Sequence, residues 1–450
     1  MSLGPQPNIL TALDIGTSKV TAMIGQMDEQ GGVHVVGLGT QPSYGVKKGL
    51  IVNMETTFAS VQKALEDAQT MANLPIKNAT IAISGVHLHG FNSSGVAPIA
   101  QGQVSEQDVN RVIDAAQAVA IPSDQKILHL LPQAFTIDQH TDIQDPLGIS
   151  GVRLEAKVHM VTASVTATQT HLRAASQVGL AVQDIVMSSL ASSEAVLLSD
   201  EKELGVCLVD IGAGTTDVAV FINGAMVHSF VLPIGGIQVS NDLAHALRAP
   251  FQFAENIKLR HGTARASLVN SHEAIEIPGM LDRPGKLLSL QTVAEVIESR
   301  YEELFLLIQQ NLAAEGLCDY LSAGFVLTGG ASKMPGLLNL VEKIFRLPAR
   351  EGYPDNIMGL KEAIADPIYS TCAGLLLYTH QQIRNGEEQA TQGSFSKQKE
   401  TALETMEAEL NLLHKKNQSN AQSKVHSSFK IGGQINHQIT KVKSWFSKYF

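Results

Sequence analysis

The order of apolar and polar residues predicts a chain that alternates between strands and helices. Short apolar runs bounded by glycine or polar residues predict strands, and apolar residues at every third or fourth position predict helices. The expected strands in the first part of the chain are Ile9–Ile15, Val20–Met27, Val33–Gly39, Ala79–Ser84, Ile127–Leu131, Ala134–Ile137, Leu154–Thr162 and Ala181–Val186. The expected helices there are Glu55–Ala72, Glu106–Ala120, Ala167–Gly179 and Leu190–Leu198, and a long helix is predicted later at Leu290–Ala314.

One stretch in the middle of the chain combines two strands with a glycine-rich turn. An apolar run, Val206–Val209, ends at Asp210, and a second run, Val218–Phe221, follows the turn. Glycines let such a turn approach a ligand closely, and its consecutive backbone N–H groups can bind an anion. The pattern alone is equally typical of an ordinary hairpin. The residues of the turn are Gly212, Ala213, Gly214, Thr215 and Thr216.

The same pattern occurs near the N-terminus, where a strand again ends in Asp-Ile-Gly at Asp14. Two such loops, about 200 residues apart, predict a duplicated domain that grips the phosphates of one nucleotide between its halves. Asp14 and Asp210, at the ends of the two strands, suit a hydrated Mg²⁺ ion. Neither loop has the sequence of a P-loop or of Gly-x-Gly-x-x-Gly. The predicted contacts of the first loop are Gly16, Thr17, Ser18 and Lys19.

This pair of loops resembles the phosphate loops of the actin, Hsp70 and sugar-kinase ATPase superfamily. The resemblance implies an α/β, actin-like ATPase fold with two duplicated RNase H-like lobes around a nucleotide cleft, and ATP with Mg²⁺ as its ligands. It also implies that Glu255 and Lys258, three residues apart on one helix face, meet the nucleoside, although a solvated ion pair explains them equally well. The other implied nucleotide contacts are Gly235, Gly236 and the adenosine motif Gly329, Gly330 and Ala331.

The position of an inserted subdomain separates this chain from the actin and Hsp70 members of the superfamily. Actin and Hsp70 relatives carry a subdomain between the third strand and the first long helix, but Thr40–Met54 is too short for one. Residues 85–163, after the fourth strand, instead predict a displaced α+β subdomain. The other predicted boundaries are 8–84 with 164–198 for the core of the first lobe, 199–225 with 303–384 for the core of the second lobe, and 226–302 for the smaller subdomain of the second lobe.

Composition changes sharply toward the C-terminus. Residues 385–430 are rich in Gln, Asn, Ser, Lys and Glu, and they predict a disordered linker. The chain has a net charge of −10, yet residues 411–450 contain seven lysines and no Asp or Glu. An acidic body with a basic tail argues against nucleic-acid binding. The absence of a signal peptide, of a long apolar run and of paired cysteines predicts a cytoplasmic protein.

The last residues, 434–450, predict an amphipathic helix. Its apolar face and its lysines suit the headgroup region of an anionic bilayer. A helix packed on its own domain is the alternative, but the polar linker before it, the only Trp of the chain and the lysines without acids favour the membrane. The apolar face contains Ile435, Ile439, Val442, Trp445, Phe446, Tyr449 and Phe450, and the lysines are Lys441, Lys443 and Lys448.

The combination of loops, displaced subdomain, linker and terminal helix resembles the FtsA family of bacterial cell-division actin homologues. The resemblance implies a protein that binds ATP, polymerises with itself, and anchors the tubulin-like GTPase FtsZ to the cytoplasmic face of the inner membrane at the division site. It also implies that residues 85–163 make filament and partner contacts and that the protein recruits later septal division proteins. The FtsZ C-terminal peptide would dock on residues 226–302, where we single out Arg300. Ala213 departs from the family, whose members usually have glycine there.

Two other classes of function stay open at this point. An actin-superfamily enzyme, such as a sugar kinase or an Hsp70-like ATPase, would use the same cleft. Hydrolysing relatives carry a carboxylate just before the small residues of the connecting helix, whereas Met187–Ala191 contains none, so we assign no catalytic residue and expect at most slow ATP hydrolysis. A purely structural scaffold with vestigial loops is the third class, and Ala213 is the residue that suggests it.

Overall fold

The computed structural model describes residues 9–28, 31–270, 272–277 and 286–390. The chain divides into two compact units, Met1–Gln382 and Ile383–Phe450, and of the second only residues 383–390 are described. The predicted membrane helix, 434–450, therefore lies outside the described residues, as does the predicted linker from residue 391 onward. The fold presented below is that of the first unit.

Strands and helices alternate throughout this unit, as the sequence predicts. Up to residue 204 they are β1 (Ile9–Ile15), β2 (Lys19–Met27), β3 (Val33–Pro42), β4 (Val46–Lys47), β5 (Leu50–Ile51), α1 (Met54–Ala72), β6 (Asn78–Ile83), β7 (Leu88–Pro98), α2 (Glu106–Gln117), β8 (Gln125–Ile137), β9 (His140–Ile143), β10 (Arg153–Ser164), α3 (Val165–Gln177), β11 (Ala181–Met187), α4 (Ser188–Val196) and α5 (Ser199–Leu204). After it they are β12 (Val206–Ile211), β13 (Thr216–Ile222), β14 (Ala225–Leu232), α6 (Gly236–Leu247), α7 (Phe251–His261), β15 (Ala274–Ile277), β16 (Lys286–Ser289), α8 (Leu290–Ala314), β17 (Gly324–Thr328), α9 (Leu337–Phe345), β18 (Ala349–Glu351), α10 (Lys361–Ile364) and α11 (Ser370–Ala390).

The two halves of the chain build sheets with the same strand order. In the first lobe, β1, β2 and β3 form an antiparallel meander, and β6 and β11 extend it in parallel, which gives the order β3-β2-β1-β6-β11. In the second lobe, β12, β13 and β14 form the meander, and β17 and β18 extend it, which gives β14-β13-β12-β17-β18. This equivalence confirms the duplication expected from the two Asp-Ile-Gly turns.

The sheet of the second lobe is covered by α8 and α9 around one apolar core. The buried residues of α8 recur every three or four positions, among them Ile297, Tyr301, Phe305 and Ile308, and they pack with the strands β12, β13 and β17. Full burial of each such side chain stabilises the fold by about 1.5–3 kcal/mol. The same periodicity explains why the sequence predicts the bounds of α8 correctly.

The inserted subdomain has a sheet and a core of its own. Its strands are antiparallel in the order β7-β10-β8-β9, with α2 packed against β7 and β10. The sequence predicts a break between residues 131 and 134, but β8 runs through Pro132, and this expectation is wrong. The pairing with β10 shifts its register at Gln133, and such a bulge accommodates the missing N–H of proline.

The C-terminal part of the unit returns to the first lobe. The Cys372 thiol of α11 lies 3.4 Å from Thr21 O, and Thr379 Oγ1 donates to Thr80 Oγ1 at 2.8 Å. Met358 pairs with the outer edge of β3, where the Val35 N–H donates to Met358 O at 2.7 Å and the Met358 N–H donates to Val33 O at 2.9 Å. The edge of the first-lobe sheet is thus paired by a residue that comes after the last strand of the second lobe.

The end of α11 corrects one prediction. The helix continues to Ala390, so the predicted linker begins with six helical residues, 385–390, instead of disordered chain. Among the described helices, none has the length and apolar character needed to cross a membrane.

Candidate functional site

The two predicted phosphate loops touch each other between the lobes. The first joins β1 to β2, and the second joins β12 to β13. A Cβ atom added to Gly214 would lie only 2.6 Å from Thr17 Oγ1 and 3.1 Å from Lys48 Cα. Thr17 Oγ1 also accepts a hydrogen bond from the Gly49 N–H at 3.2 Å. The folded chain therefore brings together two loops that are far apart in the sequence, at a point where any side chain on residue 214 would crowd Thr17.

The start of α6 packs directly on the second loop. The Gly236 N–H donates to Gly212 O at 3.0 Å, and the Ile237 N–H donates to Ala213 O at 2.9 Å. Gly235 precedes this helix as its N-cap residue. The predicted contacts Gly235 and Gly236 thus form one continuous surface with the second loop.

Lys258 links α7 to the start of α6. Its Nζ donates to Gly236 O at 3.0 Å and to Glu255 Oε2 at 2.8 Å, and Glu255 also accepts a hydrogen bond from the hydroxyl of Ser240. Lys258 is only 8% exposed. The ammonium group is therefore buried against the start of α6, whereas the Glu255 side chain is 32% exposed, so the ion pair is only partly solvated.

The predicted adenosine motif lies beside Asp210. Gly329 has a φ of +84°, and a Cβ atom there would lie 2.3 Å from Asp210 Oδ1, so no other residue fits this turn. A short 3₁₀ helix, Gly330–Lys333, follows, and its Ala331 Cβ would lie 3.3 Å from a Cβ atom on Gly236. The structure thus gathers the motif, the start of α6 and the second loop around one point.

The side chains of the loops are mostly engaged within the protein. Thr216 Oγ1 donates to Ile234 O at 2.8 Å, and Thr215 Oγ1 lies 3.0 Å from Ser84 Oγ. The Lys19 ammonium contacts the carbonyl of Ile368 and lies 5.7 Å from the centre of the Tyr369 ring. Ser18 is exposed. The predicted hydroxyl donors Thr215 and Thr216 already have protein partners.

Burial raises the pKa of three aspartates at this site. Burial raises the pKa of Asp210 to about 6, and the charge of Asp14 adds to this rise. Burial likewise raises the pKa of Asp217 to about 7, with a further contribution from Asp210. The pKa of Asp14 is raised by burial, although the ammonium of Lys19 opposes that rise. A positive charge bound nearby would stabilise the ionised forms of these carboxylates.

Sequence reasoning missed the residues that orient these carboxylates. Ser192 Oγ donates to Asp210 Oδ2 at 2.6 Å, and Thr371 Oγ1 donates to the same oxygen at 3.4 Å. Ser84 Oγ donates to Asp217 Oδ2 at 2.6 Å. Ser192 lies on α4 and Thr371 on α11, so a helix from the middle of the unit and one from its C-terminal end converge on Asp210. Within the described ranges, no set of three or more His, Cys, Asp or Glu side chains is arranged to hold a metal ion.

The raised pKa of Asp217 predicts that the nucleotide-free protein loses stability as the pH rises from about 4 to about 7. In this window the unfolded chain has released the proton of Asp217, whose ordinary pKa is 3.8, while the folded chain still binds it. The free energy of unfolding therefore falls with rising pH. Asp217→Asn should raise the melting temperature at pH 7.5 by several degrees and leave it unchanged near pH 4.

Calorimetric melting curves at the two pH values check this expectation. Asp114 is exposed on α2, so Asp114→Asn is the matched control and should change neither melting temperature. If the Asp217→Asn protein melts at the wild-type temperature at pH 7.5, the ionised Asp217 carboxylate does not destabilise the folded protein, and the prediction is wrong.

Comparison with known proteins identifies the family. The family model described as "Cell division protein FtsA" matches residues 207–374, and the model "SHS2 domain inserted in FTSA" matches residues 85–162. The cell division protein FtsA of Pseudomonas aeruginosa is 50% identical over 386 residues, which cover 86% of this chain and 93% of that protein. The chain belongs to the FtsA family. The resemblance seen in the sequence is therefore confirmed, and the chain is a homologue of FtsA cell division proteins.

Solved structures agree with the fold of this FtsA-family chain. The PilM–PilN type IV pilus biogenesis complex has a TM-score of 0.59 at 15% identity, covering 82% of this chain and 98% of the other. MreB5 of Spiroplasma citri, solved with bound ADP, has a TM-score of 0.53 at 15% identity and covers 85% and 99%. The predicted actin-like ATPase fold is thus confirmed.

Proposed function

We propose that this protein binds ATP with Mg²⁺ between its two lobes and uses the nucleotide to control its assembly in cell division. The observation that carries the proposal is the contact between Gly214 and Thr17, with Asp14, Asp210 and Asp217 gathered beside it. Like-charged carboxylates held together in a partly buried cleft favour a ligand that brings a cation. The ADP bound to MreB5, which has the same fold, supports the proposal.

Each group of residues takes one part of the nucleotide. Backbone N–H groups of the two loops bind the phosphates, and Lys19 balances their charge. Asp14 and Asp210 would hold a hydrated Mg²⁺ ion, which would neutralise phosphate charge. Lys258 and the turn at Gly329 border the nucleoside. Ala213 replaces the usual glycine, but its carbonyl accepts the Ile237 N–H, so the turn is retained.

Nucleotide binding favours the closed arrangement of the lobes, because the ligand contacts both loops at once. A ligand shifts an equilibrium only as far as it binds one state better than the other. Ser192 and Thr371, which lie on the two helices that meet at Asp210, extend the effect to the joint between the lobes. We infer that this closed state is the one that polymerises in actin-like filaments.

The family further supports a role as a membrane tether for FtsZ. In this proposal the FtsZ C-terminal peptide docks on residues 226–302, and residues 434–450 bind anionic lipid at the cytoplasmic face of the inner membrane. Later septal proteins would bind the assembled filament. Arg300, our sequence candidate for the peptide contact, donates to Asp242 Oδ1 at 3.0 Å and also contacts Glu303. An acidic peptide would have to compete with both carboxylates.

Titration calorimetry of the full chain with ATP, with and without Mg²⁺, tests the nucleotide site. We expect saturable binding of one nucleotide per chain that weakens when the metal is removed. Thermal unfolding measured with ATP checks the result, because a ligand that binds only the folded state raises the melting temperature. Absence of both effects would favour the scaffold with vestigial loops.

Hydrolysis of the bound ATP is expected to be slow. No carboxylate precedes Ala191 on α4, where hydrolysing relatives place one, so attacking water is not oriented there. Phosphate release measured under single-turnover conditions should give a rate well below the roughly 1–100 s⁻¹ of kinases. A turnover within that range, with or without an added sugar, would support the enzyme alternative instead.

A further inference from the structure

The inserted subdomain begins at the nucleotide site. Ser84 follows the last residue of β6, and β7 begins four residues later. Ser84 Oγ donates to Asp217 Oδ2 at 2.6 Å and lies 3.0 Å from Thr215 Oγ1, so the entry to the subdomain is hydrogen-bonded to the second phosphate loop. Gly85, with a φ of +142°, turns the chain immediately afterwards. The point where the subdomain leaves the first lobe is therefore held by the second.

The subdomain touches the second lobe again at β14, along a contact that we call the seam. Here polar side chains of the subdomain contact residues 223–229. Asn92 Nδ2 donates to Val227 O at 3.0 Å, and Gln133 Nε2 donates to Met226 O at 3.2 Å. The subdomain side chains of the seam are Asn92, Gln133, Gln144 and His159.

His159 fixes the seam in one hydrogen-bonding pattern. Its pKa is lowered to about 3, chiefly by burial, so the imidazole is neutral. Asn92 Oδ1 accepts from Gln133 Nε2 and lies 2.8 Å from His159 Nδ1, which must therefore carry the proton. His159 Nε2 then accepts the hydroxyl proton of Ser229 at 2.8 Å. Every bond in this chain has a defined direction.

The seam has one preferred arrangement, because its hydrogen bonds to carbonyl and hydroxyl groups of the second lobe are directional and its His159 and Ser229 are buried. A cavity of about 520 Å³ lies alongside and is lined by both partners, among them Gln133, Lys157, Asn223 and Tyr320. The subdomain also has a separate apolar core, so a shift along the seam leaves that core intact.

We propose that Ser84 is a positioning residue that couples the nucleotide site to the docking of the inserted subdomain along the seam. This inference rests on the proposed binding of ATP. A nucleotide that orders the second loop fixes Asp217 and Thr215, which in turn fix Ser84 and the turn at Gly85. The subdomain then docks in one orientation on β14. Since coupling is reciprocal, a partner that holds the subdomain would tighten nucleotide binding equally.

Hydrogen exchange measured by mass spectrometry on the full chain tests the coupling. Saturating ATP–Mg²⁺ should slow exchange of the β7 and β14 amides about fivefold, the factor expected for stabilising such a local contact by one hydrogen bond. In Ser84→Ala, at a nucleotide concentration that saturates that variant, the slowing should fall below about twofold. Ser93→Ala is the matched control, because Ser93 Oγ bonds to Ala116 O inside the subdomain, and it should keep the full response.

The outcomes separate the coupling from the nucleotide site itself. If ATP raises the melting temperature of the wild type but leaves exchange in β7 and β14 unchanged, the coupling is wrong and the nucleotide site stands. If Ser84→Ala keeps the wild-type response, Ser84 is not the coupling residue. If ATP changes neither quantity in the wild type, the proposed function fails and the coupling fails with it. Gln133→Ala should speed exchange in β7 without nucleotide, because it loosens the seam directly.

Discussion

Replacing Asp210 by alanine is expected to lower the affinity for ATP–Mg²⁺ at least about a hundredfold, which corresponds to roughly 3 kcal/mol of binding free energy. Asp210 is buried at the end of β12, where hydroxyls from α4 and α11 and the turn at Gly329 fix its carboxylate. A carboxylate held in this way would bind a hydrated cation without reorganising, and the cation would offset the charge of the phosphates. Titration calorimetry with ATP–Mg²⁺ measures the loss.

Removal of Mg²⁺ tests whether Asp210 contributes to ATP binding through the metal. Chelation of Mg²⁺ should weaken ATP binding by the wild type and should have little further effect on Asp210→Ala, because that variant has already lost its metal partner. Asp210→Asn keeps the shape of the side chain and its bond to Ser192, so it serves if the alanine variant unfolds. Asp114→Ala, on the surface of α2, is the control and should bind as the wild type does. Wild-type affinity in Asp210→Ala would count decisively against the site.

Replacing Trp445 or Phe446 by glutamate is expected to release the protein from anionic vesicles. Both residues belong to the apolar face predicted for residues 434–450. Six or seven large side chains there contribute at most about 1.5–3 kcal/mol each, and the cost of ordering the segment offsets much of that gain. One buried carboxylate is therefore enough to shift the balance. Co-sedimentation with vesicles measures the release, and ATP binding should be unchanged.

The lysines of the same segment should determine which membrane is bound. Neutralising Lys441, Lys443 and Lys448 should weaken binding to anionic vesicles and have little effect on neutral ones, since each lysine contributes about 1 kcal/mol with acidic lipid. Salt should reproduce this loss, because the Debye length is about 8 Å at physiological ionic strength. A chain truncated before Gly432 that still sediments with anionic vesicles would mean that the anchor lies elsewhere.

Local pattern was sufficient for the elements whose own residues carry their burial. The strand β1 and the helix α8 have the predicted bounds, because each buries apolar residues at the period of its own geometry. The strand β7 was not predicted. Its residues Leu88–Pro98 include glycine, asparagine and two serines, and it is a strand because β10 pairs with it along its whole length. Only the partner strand makes that segment extended.

The residues of the candidate site show the same contrast between what local sequence pattern reveals and what depends on distant partners. The glycines and aspartates of the two loops were found because the motif repeats, and a repeat is visible in the sequence. The three hydroxyl residues that bond to the aspartates were not found, because each aspartate is distant in the sequence. The separation is 133 positions for Ser84, 18 for Ser192 and 161 for Thr371. A single hydroxyl within an apolar or small-residue segment has no local signature. Its partner is set by how the two lobes and the returning helix α11 pack.

The pairing of Met358 with β3 has a consequence for synthesis on the ribosome. At about 5–20 residues per second, residue 358 emerges roughly 15–60 seconds after β3. Throughout that interval the outer edge of β3 presents unpaired N–H and C=O groups, and such an edge is a template for pairing with other chains. The half of the fold that is made first is therefore the last to complete its edge pairing.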